Sequence, residues 1–305
     1  VDKIIFWEFL KKGIIRSLKF LLLLRKKKFD VSILSYPSNR IEYNLIQFLI
    51  GAKVRLAHKY NHFFVKNLGF LNTKTIPEDD TKHDVEENVH LLSLLNKKIK
   101  NCPPPKVYLT SHEKVFAKNW LLQNNVTQKL IIGIHAGTAT FKNQIKRRWD
   151  KNKFGELGKK LVQKYNLQIL IFGGKEEEEL KWYIKEKIGK NTKIVSDTTI
   201  RETTALISHC SLFISNDSGL MHLAASVGIP CIAIFGPTNP KWVHPYNTQY
   251  LIVRENLPCS PCFYYSQKPL TCKWGDFRCV KNISVEKVMR SVEKLLSGII
   301  KKKNW

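Results

Sequence analysis

Between residues 130 and 253, short apolar runs alternate with amphipathic stretches, and this alternation is the clearest order in the chain. Segments 130–135, 168–173, 193–195, 212–215, 231–235 and 250–253 read as strands. Between them, 153–165, 176–188, 202–209 and 219–227 carry apolar residues at helical spacing. Strand–helix alternation of this kind predicts a parallel sheet wrapped on both faces. Upstream, 30–35 and 54–58 read as two further strands, with a helix over 42–50 between them. Residues 1–28 predict one basic amphipathic helix, and 111–122 a helix leading into the second sheet. In the tail, Val285, Val288, Val292, Leu295 and Leu296 recur at helical spacing, with Ser284 as cap and Gly298 as stop. The stiff, non-helical Cys102-Pro103-Pro104-Pro105 marks a domain junction. The pattern therefore predicts an α/β domain over 1–110 that looks incomplete at its start and a second over 127–283. A C-terminal helix and basic tail follow over 284–305.

Composition supports a packed core, because 43% of the 305 residues are hydrophobic, and a disordered tail protein is excluded. The net charge of +26 changes the picture more, since it implies polyanionic surroundings: nucleic acid, an acidic membrane surface or phosphorylated substrates. No helix-turn-helix, zinc-finger, RNP or KH pattern accompanies it, which leaves nucleic acid the weaker partner. The most apolar early run, 14–24, is interrupted by Arg16 and Lys19 and is too short to span a bilayer. Seven cysteines, an odd count in a chain with no visible export signal, read as reduced thiols in a cytoplasm.

The strongest local signal is Ser215-Asn216-Asp217-Ser218-Gly219-Leu220-Met221-His222, where a buried strand runs into a small-residue helix. The backbone N–H groups of Ser218, Gly219 and Leu220 then lie at a helix N-terminus, where the dipole favours an anion such as a diphosphate. His222 follows Ser218 by four residues and shares its helix face. Asp217 would repel a phosphate unless it caps the helix or accepts hydrogen bonds from sugar hydroxyls. Three more loops follow strand ends, where open α/β sheets bind ligands. Phe235-Gly236-Pro237-Thr238-Asn239-Pro240 offers the Thr238 hydroxyl. His135-Ala136-Gly137-Thr138 leads to Lys146-Arg147-Arg148-Trp149, where Arg147 or Arg148 can neutralise a diphosphate. Phe172-Gly173-Gly174-Lys175-Glu176 can meet a nucleoside or simply turn into a helix. No loop is a GxGxxG or Walker A sequence, so a dehydrogenase or P-loop ATPase gains no support.

Together these motifs resemble glycosyltransferase family nine, the bacterial ADP-heptose:lipopolysaccharide heptosyltransferases. The resemblance rests on His-Ala-Gly-Thr with Arg-Arg-Trp at 135–149, Asp-Ser-Gly-Leu-Met-His-Leu-Ala-Ala at 217–225 and Phe-Gly-Pro-Thr-Asn-Pro at 235–240. The cysteine region looks most like the heptosyltransferase II branch. The likeness is dense over 130–297 and thinner upstream. It implies a GT-B architecture of two Rossmann-like domains facing a cleft, with an inverting, metal-free transfer from ADP-L-glycero-D-manno-heptose. The acceptor would be Kdo-lipid A or heptosyl-Kdo-lipid A at the inner face of the inner membrane, with no cofactor required. Carried over by position, Thr138, Arg147, Asp217, Ser218, Gly219, Leu220, His222 and Thr238 would form the donor site, with Arg147 where the family usually has Lys. Trp149 would be structural, and Arg40 a contact for the acidic acceptor. The family's proposed general base is an Asp in an opening Gly-Asp loop that precedes residue 1, so no base is assigned. The competing reading is a degenerate member or polyanion-binding protein that holds nucleotide sugar without turnover.

Cys259-x2-Cys262-x9-Cys272-x6-Cys279 allows a zinc reading. The split second pair fits a cysteine-containing loop better than a zinc ribbon, and no metal is expected. Cys102, Cys210 and Cys231 read as small buried residues. The basic stretch 14–28 predicts a helix with one face packed on the sheet and, secondarily, a contact for anionic lipid.

Overall fold

A computed structural model describes residues 2–97, 99, 101–127, 130–265 and 268–302; the end of the basic tail, 303–305, lies outside them. The chain divides into two units, Val1–Cys102 with Tyr265–Gln267, and Pro103–Tyr264 with Lys268–Trp305.

The first unit runs α1 (Phe9–Lys12), α2 (Ile14–Arg25), β1 (Val31–Ile33), α3 (Ile41–Ile50), β2 (Val54–Lys59), β3 (Lys74–Pro77) and α4 (Asp84–His90). Its three strands are parallel in the order β1-β2-β3, with Ile33 opposite Leu56 and His58 opposite Ile76. Buried Gln47 on α3 ties the helix to this sheet, its amide donating to Ser32 O at 2.9 Å and Leu56 O at 3.2 Å. The single helix expected over 1–28 is two helices, because Gly13 sits at φ 75° between them. Helix α2 packs beside α3, with Ser17 and Leu21 its buried residues.

The second unit opens with α5 (Ser111–Gln123) and continues with β4 (Ile131–His135), α6 (Lys151–Lys164), β5 (Gln168–Ile171), α7 (Glu178–Ile188) and β6 (Thr192–Ile194). It completes with α8 (Ile200–Ile207), β7 (Leu212–Asn216), α9 (Gly219–Ser226), β8 (Cys231–Ile234), α10 (Pro240–Val243), β9 (Tyr250–Val253), α11 (Arg278–Lys281) and α12 (Val285–Lys302). All six strands are parallel, in the order β6-β5-β4-β7-β8-β9. The order reverses between β4 and β7, which is where doubly wound sheets open a crevice for a ligand.

Strand alternation divides the core. Ile169 and Ile171 face a cluster with Trp149, which precedes α6, and with Phe154, Leu157, Leu161, Val288 and Val292 on α6 and α12. Leu170 and Phe172 face the opposite cluster with Ala117, Leu206, Phe213 and Cys231. Gly158 lets α7 close on α6: a Cβ there would lie 2.3 Å from Ile188 Cδ1. Helix α12 does not stop at Gly298 but runs on to Lys302, because Ile299 still buries its side chain in the core.

Candidate functional site

The ends of β4 and β7 flank the switch point, and the loops leaving them carry the polar cluster. Asn216, fully buried at the end of β7, donates to Ala136 O at 2.7 Å and accepts from the Trp149 backbone N–H at 3.0 Å, fixing three loops to one another. Trp149 itself is buried, and its indole N–H donates to Ile283 O at 2.9 Å, which is a packing role.

Asp217 does not cap α9; the N-cap position is Ser218. Its carboxylate instead accepts from Arg147 Nη1 at 2.6 Å, and the same nitrogen reaches Thr238 Oγ1 at 3.3 Å. The charge conflict between Asp217 and an incoming phosphate is thus met by an arginine. Thr138 is buried and turned inward, donating to Gln144 O at 3.1 Å.

A second cluster begins at Arg148. Its Nη2 donates to Thr138 O at 2.7 Å and to Glu177 Oε1 at 2.8 Å. Glu177 Oε2 lies 3.0 Å from His135 Nε2 and accepts from the Gly174 N–H at 3.1 Å. His135 Nδ1 lies 2.9 Å from Ser218 Oγ, which contacts Ser215 Oγ at 3.0 Å. Burial pushes the Glu177 acid up, but its bonds to His135 and the Gly174 N–H and the nearby Arg148 charge outweigh that and hold it below the usual carboxylate range. The carboxylate therefore accepts only, so His135 Nε2 carries a proton. Gly137 makes room for this arrangement: a Cβ there would fall 1.7 Å from Glu177 Oε1.

Between these loops is a cavity of about 530 Å³ lined by His135, Thr138, Gly173, Glu177, Ser218, Gly219, Leu220 and Ile200, among others. Gly219 opens α9 and is exposed; a Cβ on it would meet nothing within 4 Å. His222 lies half-buried in the first turn of α9; burial and the charge of His244 lower its basicity, while Asp217 acts the other way.

Of the residues expected at the donor site, Thr138, Ser218, Gly219 and Leu220 line the cavity, while Arg147, Asp217 and Thr238 form the ion-paired group at the same rim. Arg40 belongs to the first unit, beside the Tyr43 ring at the start of α3. His135, Arg148, Glu177 and Asn216 emerge only from the structure as a connected network. Glu177, three residues after Gly174 at a helix entrance, has the spacing of a side chain that returns to a backbone N–H.

Cys210, Cys231, Cys259, Cys262, Cys272 and Cys279 are free thiols, and Cys102 is half-buried rather than buried. Cys259, Cys262, Cys272 and Cys279 line a cavity of about 690 Å³. Among the described residues no three His, Cys, Asp or Glu side chains are placed to hold a metal ion. None of the described helices is long and apolar enough to cross a membrane.

The model of glycosyltransferase family 9 (heptosyltransferase) matches residues 18–272. A lipooligosaccharide heptosyltransferase 2 of Campylobacter jejuni is 37% identical over 176 residues, 56% of this chain and 52% of that one. The lipopolysaccharide heptosyltransferase 2 of Salmonella typhimurium is 24% identical over 156 residues, 50% of this chain and 43% of that one. The chain spans about half the length of these curated relatives. Among solved structures, the Escherichia coli ADP-heptose lipopolysaccharide heptosyltransferase II superposes with a TM-score of 0.67 at 19% identity, over 92% of this chain and 80% of that one. A family 9 glycosyltransferase from Veillonella parvula gives 0.73 at 20% identity, over 94% and 80%. These two likenesses show an α/β fold with parallel sheets of the GT-B type.

Proposed function

The chain belongs to glycosyltransferase family 9, and from that premise we propose that it transfers heptose from ADP-L-glycero-D-manno-heptose to the inner core of lipopolysaccharide. The observation that carries the reading is the rim at the β4–β7 switch point. There the open N-terminus of α9 and the hydrogen-bonded His135, Glu177 and Ser218 line one cavity, while Arg147, Asp217 and Thr238 are joined to one another beside Ser218.

In this reading the diphosphate of the donor lies against the N–H groups of Gly219 and Leu220 and the Ser218 hydroxyl, and shares Arg147 with Asp217. Thr238 fixes the guanidinium. The nucleoside occupies the part of the cavity lined by Gly173, Ile200, Thr203 and Leu223. Asp217 and His222 face the sugar side. When the glycosidic bond breaks, negative charge grows on the departing ADP, and helix-end N–H groups and Arg147 stabilise it without having to reorganise. Loss of one such donor costs roughly 2.7–4 kcal/mol of transition-state stabilisation.

The acceptor, Kdo-lipid A or its heptosylated form, carries carboxylates and phosphates, and a chain of net charge +26 attracts it. Arg40 is the contact proposed for it. The protein would work peripherally at the inner face of the inner membrane. In support, α2 and the residues after it combine exposed Ile14, Ile15 and Leu18 with Arg16, Lys19 and Arg25–Lys28.

The test is calorimetric titration with ADP-heptose, ADP, UDP and UDP-N-acetylglucosamine, followed by a transfer assay on Kdo-lipid A. ADP-selective binding that weakens in Arg147→Gln, with transfer, is expected. Preference for UDP discards the heptose donor, and ADP-heptose binding without transfer favours a degenerate member.

A further inference from the structure

Ser218 lines the cavity at the head of α9, yet its side chain makes no capping bond to that helix. Its hydroxyl belongs instead to a chain of polar groups that runs into the core. His135 Nδ1 lies 2.9 Å from Ser218 Oγ and Ser215 Oγ lies 3.0 Å from it. Ser215 is fully buried, and its hydroxyl donates to Asn216 O at 2.7 Å. That spends the single proton of Ser215, so towards Ser218 it can only accept. At the other end, the Glu177 carboxylate 3.0 Å from His135 Nε2 fixes a proton on that nitrogen.

Ser218 also has one proton to give, and His135 Nδ1, Ser215 Oγ and any anion in the cavity compete for it. When His135 is neutral, Nδ1 aims a lone pair at Ser218 Oγ. The hydroxyl then turns to His135 and meets a diphosphate oxygen as acceptor against acceptor. A second proton, on Nδ1, reverses the order. His135 donates to Ser218 Oγ, and the Ser218 proton is free for an anion in the cavity or, without one, for Ser215. Charge points the same way. Arg148 Nη2 meets Glu177 Oε1 at 2.8 Å, so with neutral His135 the trio Arg148, Glu177 and His135 has no net charge. The imidazolium gives it one positive charge beside a doubly negative diphosphate, which favours the protonated ring.

The charged groups around His135 come from four segments. Arg147 and Arg148 precede α6, and Glu176 and Glu177 stand at the entrance to α7. The Lys181 ammonium of α7 holds Gly173 O at 3.3 Å. Asp217 and His222 come from the β7–α9 segment, with His244 acting on His222. Among these residue types, histidine is the one whose ordinary titration falls between pH 5 and 8, so His222 is the contribution to separate from that of His135.

We propose that His135 is a positioning residue: its imidazolium form, held by Glu177, turns the Ser218 hydroxyl towards the donor diphosphate, and the chain takes up a proton as the nucleotide sugar binds. This role rests on the nucleotide reading and adds to it a proton that solvent supplies to His135 Nδ1. No covalent bond is made or broken, and His135 acts through Ser218 rather than on the substrate. The complex holds the proton more tightly than the free chain. Affinity is therefore greatest at low pH and falls as pH rises through the titration of His135.

The test is calorimetric titration of the full chain with ADP-heptose between about pH 6 and about pH 9, with two buffers of different ionisation enthalpy at each pH to count protons. ADP-heptose serves because its diphosphate, esterified at both ends, has no group titrating in this range, whereas free ADP has one. Uptake approaching one proton per ligand is expected, with a dissociation constant that rises by up to about tenfold per pH unit. His135→Gln should bind more weakly at the acid end and lose both uptake and slope, while His222→Gln should keep them. Ser218→Ala should lose most of the uptake, because no hydroxyl remains to be turned. Full uptake in Ser218→Ala overturns the positioning role, leaving His135 as a charge alone. Zero uptake or proton release by the parent throughout the range overturns the proposal and leaves the nucleotide reading standing. If His135→Gln folds poorly, imidazole 15N spectra of the parent decide: the His135 ring should carry hydrogen on both nitrogens in the complex, and a neutral ring there overturns the proposal. Absence of ADP-heptose binding at every pH overturns the nucleotide reading and this role with it.

Discussion

Arg147 Nη1 lies 2.6 Å from Asp217 Oδ2, and both side chains are mostly shielded from solvent, so neither charge is independent of the other. Arg147→Gln leaves a shielded carboxylate where an anion must bind. It should cost about 3 kcal/mol of stability and, by loss of a charge-assisted hydrogen bond, about 1.5–3 kcal/mol of ADP affinity. Adding Asp217→Asn should return part of both losses. A double-mutant cycle by denaturant unfolding should give a coupling of about 1–3 kcal/mol; strictly additive effects would show that the pair does not act as a unit.

Two glycines on the rim separate support from binding. Alanine at Gly137 drives a methyl into Glu177 Oε1, so Gly137→Ala must displace the carboxylate from His135 and Arg148. It should lower stability by about 1–3 kcal/mol. Gly219→Ala places its methyl in open space at the head of α9 and should leave stability within about 0.5 kcal/mol. That methyl still projects where a diphosphate would approach, so ADP binding should weaken. Chemical unfolding and calorimetry on both variants check this, and equal behaviour of the two would contradict the geometry.

Much of the second unit is legible in the sequence because its strands are buried on both faces. Runs such as Leu212–Asn216 and Cys231–Ile234 can be little else. The first unit hides β3, since Lys74–Pro77 is short, polar and partly exposed, with no apolar run to mark it. Gly298 reads as a helix stop by residue type alone; the buried Ile299 beyond it decides otherwise. At the site, Asp217, Ser218 and Gly219 are legible because a helix N-terminus after a strand is a local feature. The partnership of Glu177 with His135 is not, because 42 residues separate them and only the parallel pairing of β4 with β5 brings their loops together.

Trp149 lies next to Arg148 in sequence yet points away from the cavity into the core, stacked edge-on against Phe154 at 4.9 Å. Trp149→Phe removes the indole N–H that meets Ile283 O, but that carbonyl keeps the Lys153 ammonium at 2.8 Å. The loss should be about 1–2 kcal/mol, mostly from volume. ADP affinity should stay near that of the parent, because the Trp149 backbone N–H that holds Asn216 is retained. A large fall in affinity with little change in melting temperature would move Trp149 from packing to binding.

The Glu177 carboxylate gives the fold an acid-sensitive component whose sign is fixed. Its acid is held below the usual range in the folded chain, so the unfolded chain binds the proton first as pH falls. The stabilisation is complete above the ordinary glutamate range near pH 4.3 and disappears as pH drops through the lower folded value. Glu177→Gln has no such proton to bind. At neutral pH the variant should be the less stable protein, having left Arg148 and His135 without their carboxylate. Towards pH 3 its melting temperature should fall more gently than that of the parent, so the two curves draw together. Asp79 and Glu113, both held at about 2 by hydrogen bonds and nearby cations, contribute the same acid slope to each protein and cancel in the comparison. Curves that stay parallel between pH 6 and pH 3 would mean that Glu177 does not act as the carboxylate joining Arg148 to His135.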